Sequence, residues 1–427
     1  MADQQGTNRR SVLSCIGPGL LLAGAAIGVS HLIQSTRAGA NFGFGLLGVL
    51  IVACITKYPF LEFGPRYASA TGEDLVEGYR RLGAWAVWLA ALVTLGSMFI
   101  VMAAVTAVTA SVAKFIAESY LPGLGSMPMV AWASVVIAAC LAVLLFGRYR
   151  ALERFMKVVM VVLLVSTVAA VLAVLFGRGE APPVEAAAES APWWALANLG
   201  FLLAFMGWMP IPIDSAIWNS IWVQEHARAC SEGMTRREAC LDFRIGYIGA
   251  GIVAVLFVSL GALMMHGRVT ELADGAGFVN QLIGLYADTL GGWSVPIIAA
   301  AALTTMFSTT LVVLDAFPRA MHRITQAARG AEPAPSRFGY YAWVLAQASV
   351  SILILEFFSG GMKAMVDLAT TLSFLTAPVL ALMNYLVVTR HTPGEARPGR
   401  GLRCWSWCSI GFLGAFGATY LAWALSR

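Results

Sequence analysis

Two short stretches of this chain place helix-breaking residues and polar side chains inside long apolar surroundings. The first reads LLAGAAIGVSHLIQ and contains Gly24, Gly28, Ser30 and His31. A serine hydroxyl and an imidazole can each donate hydrogen bonds, and free amides at the start of a helix carry partial positive charge. This combination favours a small anion or a carboxylate. Alternatively, Ser30 bonds its own backbone and His31 is packed between helices.

The second stretch reads GWMPIPIDS and contains Pro210, Pro212 and Asp214. Each proline removes a backbone donor and clashes with the preceding turn, so the helix is expected to break here. A carboxylate in the middle of an apolar segment is costly to bury, and its presence there indicates a function. Asp214 either caps the helix that resumes after the break, or it balances a transported cation or takes up a proton.

A third polar stretch, ALTTMFSTTLVVLDAFPR, carries Thr305, Ser308 and Thr309. In a helix these residues stand at positions i, i+3 and i+4 and share one face. Their hydroxyl oxygens suit a hard cation, which needs several oxygen ligands. Hydroxyl side chains are also common where membrane helices pack together, and this is the simpler explanation.

The composition predicts the elements that position these residues. Of the 427 residues, 59% are hydrophobic and only 12% are charged, whereas soluble domains are about 45–50% apolar and about 25% charged. The apolar residues come in blocks of about twenty, the length that crosses a bilayer. Because lipid offers no hydrogen bonds to the backbone, these blocks must be helices. The sequence therefore predicts an all-α polytopic membrane protein.

The hydrophobic blocks give eleven predicted spans. A shorter amphipathic segment at 270–290 predicts a helix lying on the membrane surface. The spans are 12–36, 41–65, 84–118, 126–147, 153–177, 193–223, 243–266, 293–320, 338–358, 362–389 and 404–425.

Basic residues predict the orientation of these spans. With the N-terminus in the cytoplasm, 21 of the 28 lysines and arginines lie on the inner side and six on the outer side. The tail 1–11 is then cytoplasmic and the C-terminus is outside, in a membrane of the bacterial inner (plasma) membrane type. Because the basic residues are scattered over every inner loop, nucleic-acid binding is not expected.

The sequence gives no indication of an enzyme. It has no nucleophile–base constellation and no cofactor loop, and its seven cysteines form no CxxC or Cys/His cluster. We therefore expect no cofactor apart from a coupling ion. The expected partners are the lipid bilayer and a small inorganic ion as substrate, and the expected oligomeric state is a monomer.

Interrupted spans at corresponding positions in two halves are typical of inverted-repeat transporters. Here the breaks fall in the first and sixth spans, which predicts a five-plus-five repeat. Residues 12–177 form the first predicted repeat, residues 193–389 the second, and residues 404–427 an eleventh helix. The alternative, that each break is only a packing kink, does not explain why two clustered breaks lie five spans apart.

The stretch GPGLLLAGAAIGVSHLIQSTRAGANFGFGLLGVL resembles the first-to-second helix region of the Nramp transporters, through its opening GPG and its AGA-FG-LL-VL tail. The stretch PIDSAIWNSIWVQ resembles the sixth helix of the same family. The resemblance implies a LeuT-like inverted repeat with eleven transmembrane helices, of which helices 1 and 6 are discontinuous.

The metal-binding motifs of that family are missing. Where Nramp metal transporters read Asp-Pro-Gly-Asn, this chain reads GVSH at 28–31. Their Met-Pro-His falls on PID at 212–214 or, with one gap, on MPI at 209–211. Losing the aspartate removes the hard anionic ligand of the family site, so we expect a relative that no longer carries transition metals. The candidate substrate pocket comprises Gly28, Val29, Ser30, His31, Pro212, Ile213, Asp214 and Ser215.

Sodium-coupled members of the LeuT-like superfamily complete a sodium site with small or hydroxyl residues of helix eight and carbonyls at the first break. By this resemblance, a Na+ site for the coupling ion would combine the carbonyls of Gly24 and Ile27 with Thr305, Ser308 and Thr309.

These features together predict sodium-coupled symport of a small anion by alternating access, with bicarbonate as the most specific guess. One alternative is a divalent cation carrier, for Mg2+ or Mn2+, with Asp214 as a ligand. A second alternative is a sodium-coupled amino-acid carrier, whose mark would be a wider pocket. The double break argues against a channel.

Four further charges lie within or near the predicted spans. Asp315 and Asp367 either serve gating or are charges at helix ends, and Lys57 and Glu62 are expected to form a pair along one helix.

Overall fold

A computed structural model describes residues 17–120, 126–146, 192–230, 233–267, 273–331, 337–358 and 361–426, together with a few single positions between these ranges. Within this part of the chain every element of regular structure is a helix, which confirms the all-α class. Seven helical stretches in it are long and apolar enough to cross a membrane. The predicted span 153–177 lies outside the described ranges.

The first predicted span is broken, as its sequence indicates. Helix α1 (Pro18–Ala26) ends at Ile27, whose ψ of 78° leaves the helical range. The chain resumes with a π-helical turn, Ser30–Ser35, that continues as α2 (Thr36–Phe42). Such π-turns are uncommon and are found mostly at functional sites. The last carbonyls of α1 need partners from outside their own helix, because no further helical amide follows them.

Among the described residues, four helices lie between α2 and the helix that ends at the second break. The predicted span begins at 41, and helix α3 begins six residues later. The difference arises because α2 extends to Phe42 and the chain then turns at Gly43, whose φ is 57°. The four helices are α3 (Leu47–Thr71), α4 (Leu75–Leu82), α5 (Ala84–Tyr120) and α6 (Met129–Phe146).

The second break also lies where the prolines predict it. Helix α7 (Leu199–Trp208) stops just before Met209, whose ψ is 128°, and α8 (Ser215–Cys230) resumes six residues later. Residues 209–214 between them are not helical. The two prolines in this link have no amide hydrogen, so α7 cannot continue through them.

The remaining helices follow their predicted spans, with one early start. Helix α9 begins seven residues before the predicted position 243, because Thr235 and Glu238 form a capping box at its first turn. These helices are α9 (Arg236–Met264), α10 (Gly275–Leu290), α11 (Val295–Ala328), α12 (Arg337–Phe357), α13 (Gly361–His391) and α14 (Arg400–Leu425).

Helix α10 is the amphipathic segment predicted at 270–290. The helix forms, but its apolar side chains Phe278 and Leu282 are buried inside the protein, where α10 packs against α5 and α11. The apolar face of α10 is therefore covered by other helices, and the location of this helix at the membrane surface stays a prediction.

Glycines allow the two halves of the first span to approach α9 closely. A Cβ atom added to Gly261 would lie 2.2 Å from the carbonyl oxygen of Thr36, and one added to Gly39 would lie 2.1 Å from that of Val258. One added to Gly246 would lie 2.1 Å from the carbonyl oxygen of Gly19. Small residues at such crossings bring helix backbones together in membranes, and here they fix both sides of the break against one helix.

We predict opposite effects for two glycine substitutions in α9. Gly261→Ala forces α2 and α9 apart and should lower the unfolding free energy by roughly 1–3 kcal/mol. Gly249→Ala should be neutral or should stabilise the helix by up to about 1 kcal/mol, because no atom lies within 4 Å of its added Cβ. Thermal unfolding in detergent measures both. Equal melting temperatures for the two variants would contradict the close crossing.

Candidate functional site

A small cavity of about 30 Å³ lies between the two breaks. Its walls come from the first break, the second break, α5 and α11, and they are mostly apolar. Ser30 and Thr309 contribute the hydroxyl groups, and Trp208 and Trp218 close the side of the second break. No charged side chain is among the described residues that line it. A cavity of this size suits an ion or one to a few water molecules.

Three of the eight predicted pocket residues line this cavity: Val29, Ser30 and Pro212. Ile211, which was considered only in the alternative alignment, lines it as well. His31 and Asp214 are buried elsewhere, so the two ionisable residues of the predicted pocket do not face the cavity. Ile213 lies in the link before α8 and Ser215 is the first residue of α8, and both are buried away from the lining.

His31 and Ser30 are linked in a hydrogen-bonded chain. The Nε2 atom of His31 lies 2.9 Å from the carbonyl oxygen of Ala250, and its Nδ1 atom lies 2.8 Å from the Ser30 hydroxyl. That hydroxyl donates to the carbonyl oxygen of Ala26 at 2.5 Å. Each of these three contacts needs its own hydrogen to be a hydrogen bond. The Ser30 hydroxyl uses its single hydrogen on Ala26, so the other two hydrogens must be on the two ring nitrogens of His31. The Ser30 hydroxyl therefore bonds the last residue of α1 across the break, and His31 joins the first break to α9.

Three of the oxygen atoms predicted for the sodium site lie together. The Thr309 hydroxyl lies 3.0 Å from the carbonyl oxygen of Gly24 and 3.4 Å from that of Ile27. It also lies 3.2 Å from the carbonyl oxygen of Thr305. One hydroxyl hydrogen thus faces three carbonyl oxygens, and it can serve only one of them well at a time. The four oxygens form a cluster of the kind that hard cations bind.

The other two hydroxyls of the predicted sodium site point back to their own helix. The Thr305 hydroxyl donates to Ala301 at 2.7 Å, and the Ser308 hydroxyl donates to Thr305 at 2.7 Å. Hydroxyls on helices commonly make such bonds to a preceding turn. Thr305 therefore contributes its carbonyl to the cluster rather than its hydroxyl, and the Ser308 hydroxyl reaches the cluster only through that carbonyl oxygen.

Gly28 lies directly against Thr309. A Cβ atom on Gly28 would be 2.3 Å from the Thr309 hydroxyl and 2.8 Å from its Cβ. Any side chain at this position would collide with α11. The space that a carboxylate would need at position 28 is taken by the threonine.

Asp214 lies at the start of α8 but is not a typical cap. Backbone carbonyls accept the first amides of this helix: Ser215 donates to Pro212 at 3.2 Å and Ile217 to Asp214 at 2.9 Å. The carboxylate is only 6% exposed, and its Oδ1 atom has no hydrogen-bond partner among the described residues. Lys57 is close enough to interact with it electrostatically.

Lys57 does not pair with Glu62, so that prediction is wrong. Its ammonium lies 2.5 Å from the carbonyl oxygen of Met206, 2.7 Å from that of Gly207 and 3.4 Å from that of Ile211. The lysine points into the second break because two of the last carbonyls of α7 and one carbonyl of the link after it offer three acceptors there. The sequence held one sign of this role, since a lysine in the middle of a span is rare and marks a functional position.

Glu62 belongs to a separate network at the other end of α3. It accepts from Arg66, Tyr58 and Arg244, and its nearest oxygen lies 3.3 Å from the Arg244 guanidinium. These contacts join α3 to α9 and leave no free oxygen of Glu62 for Lys57.

Asp367 ties α13 to α2 through paired hydrogen bonds. Its two oxygens lie 2.7 and 3.1 Å from the Arg37 guanidinium, and Gln34 donates to it at 2.9 Å. Asp315 is buried instead, where it accepts from Arg319 and Tyr340 at 2.7 Å. Asp367 therefore connects two helices across the predicted outer face, whereas Asp315 is not a solvated helix-end charge.

The described residues contain no group of three or more histidine, cysteine, aspartate or glutamate side chains that could hold a metal ion.

We predict that an acidic residue cannot simply be restored at position 28. Gly28→Asp should reduce the amount of folded protein strongly, because its Cβ collides with Thr309. The double variant with Thr309→Gly removes all three colliding atoms and should recover part of the folded protein. Thr309→Gly alone is the control, with an expected cost of about 1 kcal/mol for glycine in a helix. Size-exclusion profiles in detergent measure the outcome, and full folding of Gly28→Asp alone would refute the close packing.

Comparisons with known proteins agree with this architecture. The family described as natural resistance-associated macrophage protein-like, Nramp, matches residues 19–422. An uncharacterized protein of Pasteurella multocida, PM0681, is 34% identical over 415 residues, which cover 96% of this chain and 93% of the relative. The divalent metal cation transporter MntH of Brucella suis is 32% identical over 93 residues, 21% of this chain and 20% of MntH.

A solved structure extends the likeness to the whole fold. A mutant of the manganese transporter of Eremococcus coleocola superposes with a TM-score of 0.70 and 13% sequence identity. The superposition covers 97% of this chain and 87% of that transporter. The helices and both breaks therefore have the LeuT-like arrangement, although a similarity at this identity concerns the fold alone.

Proposed function

Because this chain belongs to the Nramp family of membrane transporters, we propose that it carries a metal cation across the membrane by alternating access. The chain is a multi-pass membrane transporter and not an enzyme, and a bacterial plasma membrane fits its relatives. The main support for a cation as the transported substrate is an oxygen cluster at the first break. There the hydroxyl of Thr309 faces the carbonyl oxygens of Gly24, Ile27 and Thr305.

The ligand chemistry narrows the cargo to hard cations. Carbonyl and hydroxyl oxygens suit Mg2+, Mn2+ or Na+, whereas softer metals prefer sulfur and imidazole ligands. Both ring nitrogens of His31 are engaged with Ser30 and Ala250. The Met209 sulfur accepts from Ser35 at 3.5 Å and is not part of the cavity wall. The relatives named as manganese and divalent metal cation transporters support Mn2+ or Mg2+ as the first cargo to test.

The geometry suggests how a bound cation would act on the protein. The oxygen cluster joins α1 to α11, so a cation there would hold the first break against α11. Such a ligand shifts the balance between conformations only through its different affinity for each. The contacts of Asp367 with Arg37 lie on the predicted outer side. On the predicted inner side, Asp242 accepts from the amides of Gly17 and Gly19 at 3.1 and 2.6 Å. Opening either side would require one of these connections to separate.

Sodium-coupled symport of a small anion such as bicarbonate is the second candidate. It is favoured by one observation, the absence of an acidic side chain among the described residues of the cavity wall. In that case Na+ would occupy the oxygen cluster as the coupling ion, and the anion would lie in the cavity. A sodium-coupled amino-acid carrier is not favoured, because a cavity of about 30 Å³ is far below the roughly 300–1,000 Å³ of ordinary ligand pockets.

We predict that Thr309→Val reduces cation uptake into proteoliposomes about tenfold, which corresponds to about 1.4 kcal/mol. The substitution keeps the shape of the side chain and removes the hydroxyl from the cluster. Thr304→Val is the matched control, because Thr304 is half-buried on the same helix, and among the described residues its hydroxyl bonds to Ala300 alone. Uptake of radiolabelled Mn2+, of Mg2+, and of bicarbonate with and without an inward Na+ gradient should be measured in the same vesicles.

Uptake of Mn2+ or Mg2+ that Thr309→Val weakens and Thr304→Val spares supports the proposal. Bicarbonate uptake that depends on the Na+ gradient and on Thr309 establishes the second candidate instead. Uptake equal to that of empty liposomes for every ion refutes both.

A further inference from the structure

The ammonium of Lys57 is enclosed by the second break. The side chain is fully buried, and its Nζ atom lies within 3.4 Å of three backbone carbonyl oxygens. An ammonium has three N–H donors and no acceptor, so three acceptors satisfy it completely. Met206 and Gly207 belong to the last turn of α7, where carbonyls lack helical partners and carry partial negative charge.

Two simpler explanations of Lys57 do not fit these contacts. A lysine in a membrane helix usually extends its ammonium to the water interface, but this one is 0% exposed. A pair with Glu62 is excluded, because both oxygens of Glu62 are engaged with Tyr58, Arg66 and Arg244. The ammonium therefore has a built environment of its own, with Asp214 as the acidic group that interacts with it.

The two breaks thus satisfy their carbonyls in different ways. At the first break, the carbonyl oxygens of Gly24 and Ile27 face the one hydrogen of the Thr309 hydroxyl. At the second break, three carbonyl oxygens face the Lys57 nitrogen, which as an ammonium has three hydrogens. The first arrangement has acceptors to spare for a cation, and the second has none.

We propose that the carbonyls of the second break form a binding site for a primary ammonium group, and that the chain fills this site itself with Lys57. Lys57 is a positioning residue that holds the α7 end, the extended link and α3 together as one unit. The first break is then the one of the two that is left to bind a free cation. This inference does not depend on which ion the protein transports.

The test removes the ammonium and offers it back as a small molecule. Lys57→Ala deletes three methylene groups and the nitrogen, the atoms of propylammonium. Melting temperatures in detergent should be compared in tens of millimolar propylammonium chloride, 1-propanol and NaCl. We expect Lys57→Ala to melt well below the wild type, to regain more than half of the loss in propylammonium, and to regain little in 1-propanol or NaCl.

Matched variants separate charge from volume. Lys57→Met fills the space without an amine, and we expect it to melt low and to show no response to propylammonium. Lys114→Ala is the control for a partly exposed lysine, since Lys114 is paired only with Glu118 at 3.8 Å, and it should melt like the wild type in all three solutions.

Recovery by 1-propanol as large as that by propylammonium would overturn the proposal, because the site would then be only a volume to fill. Wild-type stability of Lys57→Met would overturn it as well.

If Lys57→Ala accumulates too little folded protein to purify, cells expressing it are grown with propylammonium or 1-propanol. More folded protein with propylammonium alone supports the site, and no difference between the two additives refutes it. The melting temperatures and the amounts of folded protein are measured without a transported ion. Their outcome is therefore independent of which ion the uptake measurements identify.

Discussion

The structure depends on one constraint: backbone polar groups inside a bilayer must find partners within the protein. Long helices meet this constraint by themselves, but the first and sixth spans are interrupted and leave carbonyls without helical donors. The protein supplies those donors from helices far away in the sequence. Thr309 of α11 serves the first break and Lys57 of α3 serves the second. The cavity lies between the two points where regular hydrogen bonding stops.

The two solutions use different donor groups, and that difference organises the site. A hydroxyl leaves the first break rich in acceptors, whereas the Lys57 nitrogen occupies three carbonyl oxygens of the second break. Neither Lys57 nor Asp214 lines the cavity, so its wall stays apolar with two hydroxyls. A cation in the cavity would therefore meet the protein through dipoles rather than through a carboxylate.

Close helix packing holds this arrangement in place. Gly19, Gly39, Gly246 and Gly261 let α1 and α2 approach α9, and Gly28 lets the first break approach α11. The same closeness excludes a side chain at position 28, where the related metal transporters have their aspartate. Reintroducing the acid would require α11 to give way, so the departure from the family motif and the packing of Thr309 belong together.

The sequence by itself determined the helices and both breaks, because hydrophobic length and proline position are local properties of the chain. It also identified Thr309, Gly24 and Ile27 through a resemblance to related transporters. Only the tertiary structure decided which polar groups meet. Lys57 was expected beside Glu62 but contacts residues 206–211, and Thr305 contributes its carbonyl rather than its hydroxyl. The contacts of Lys57 join residues about 150 positions apart, and local periodicity carries no information about how distant helices pack.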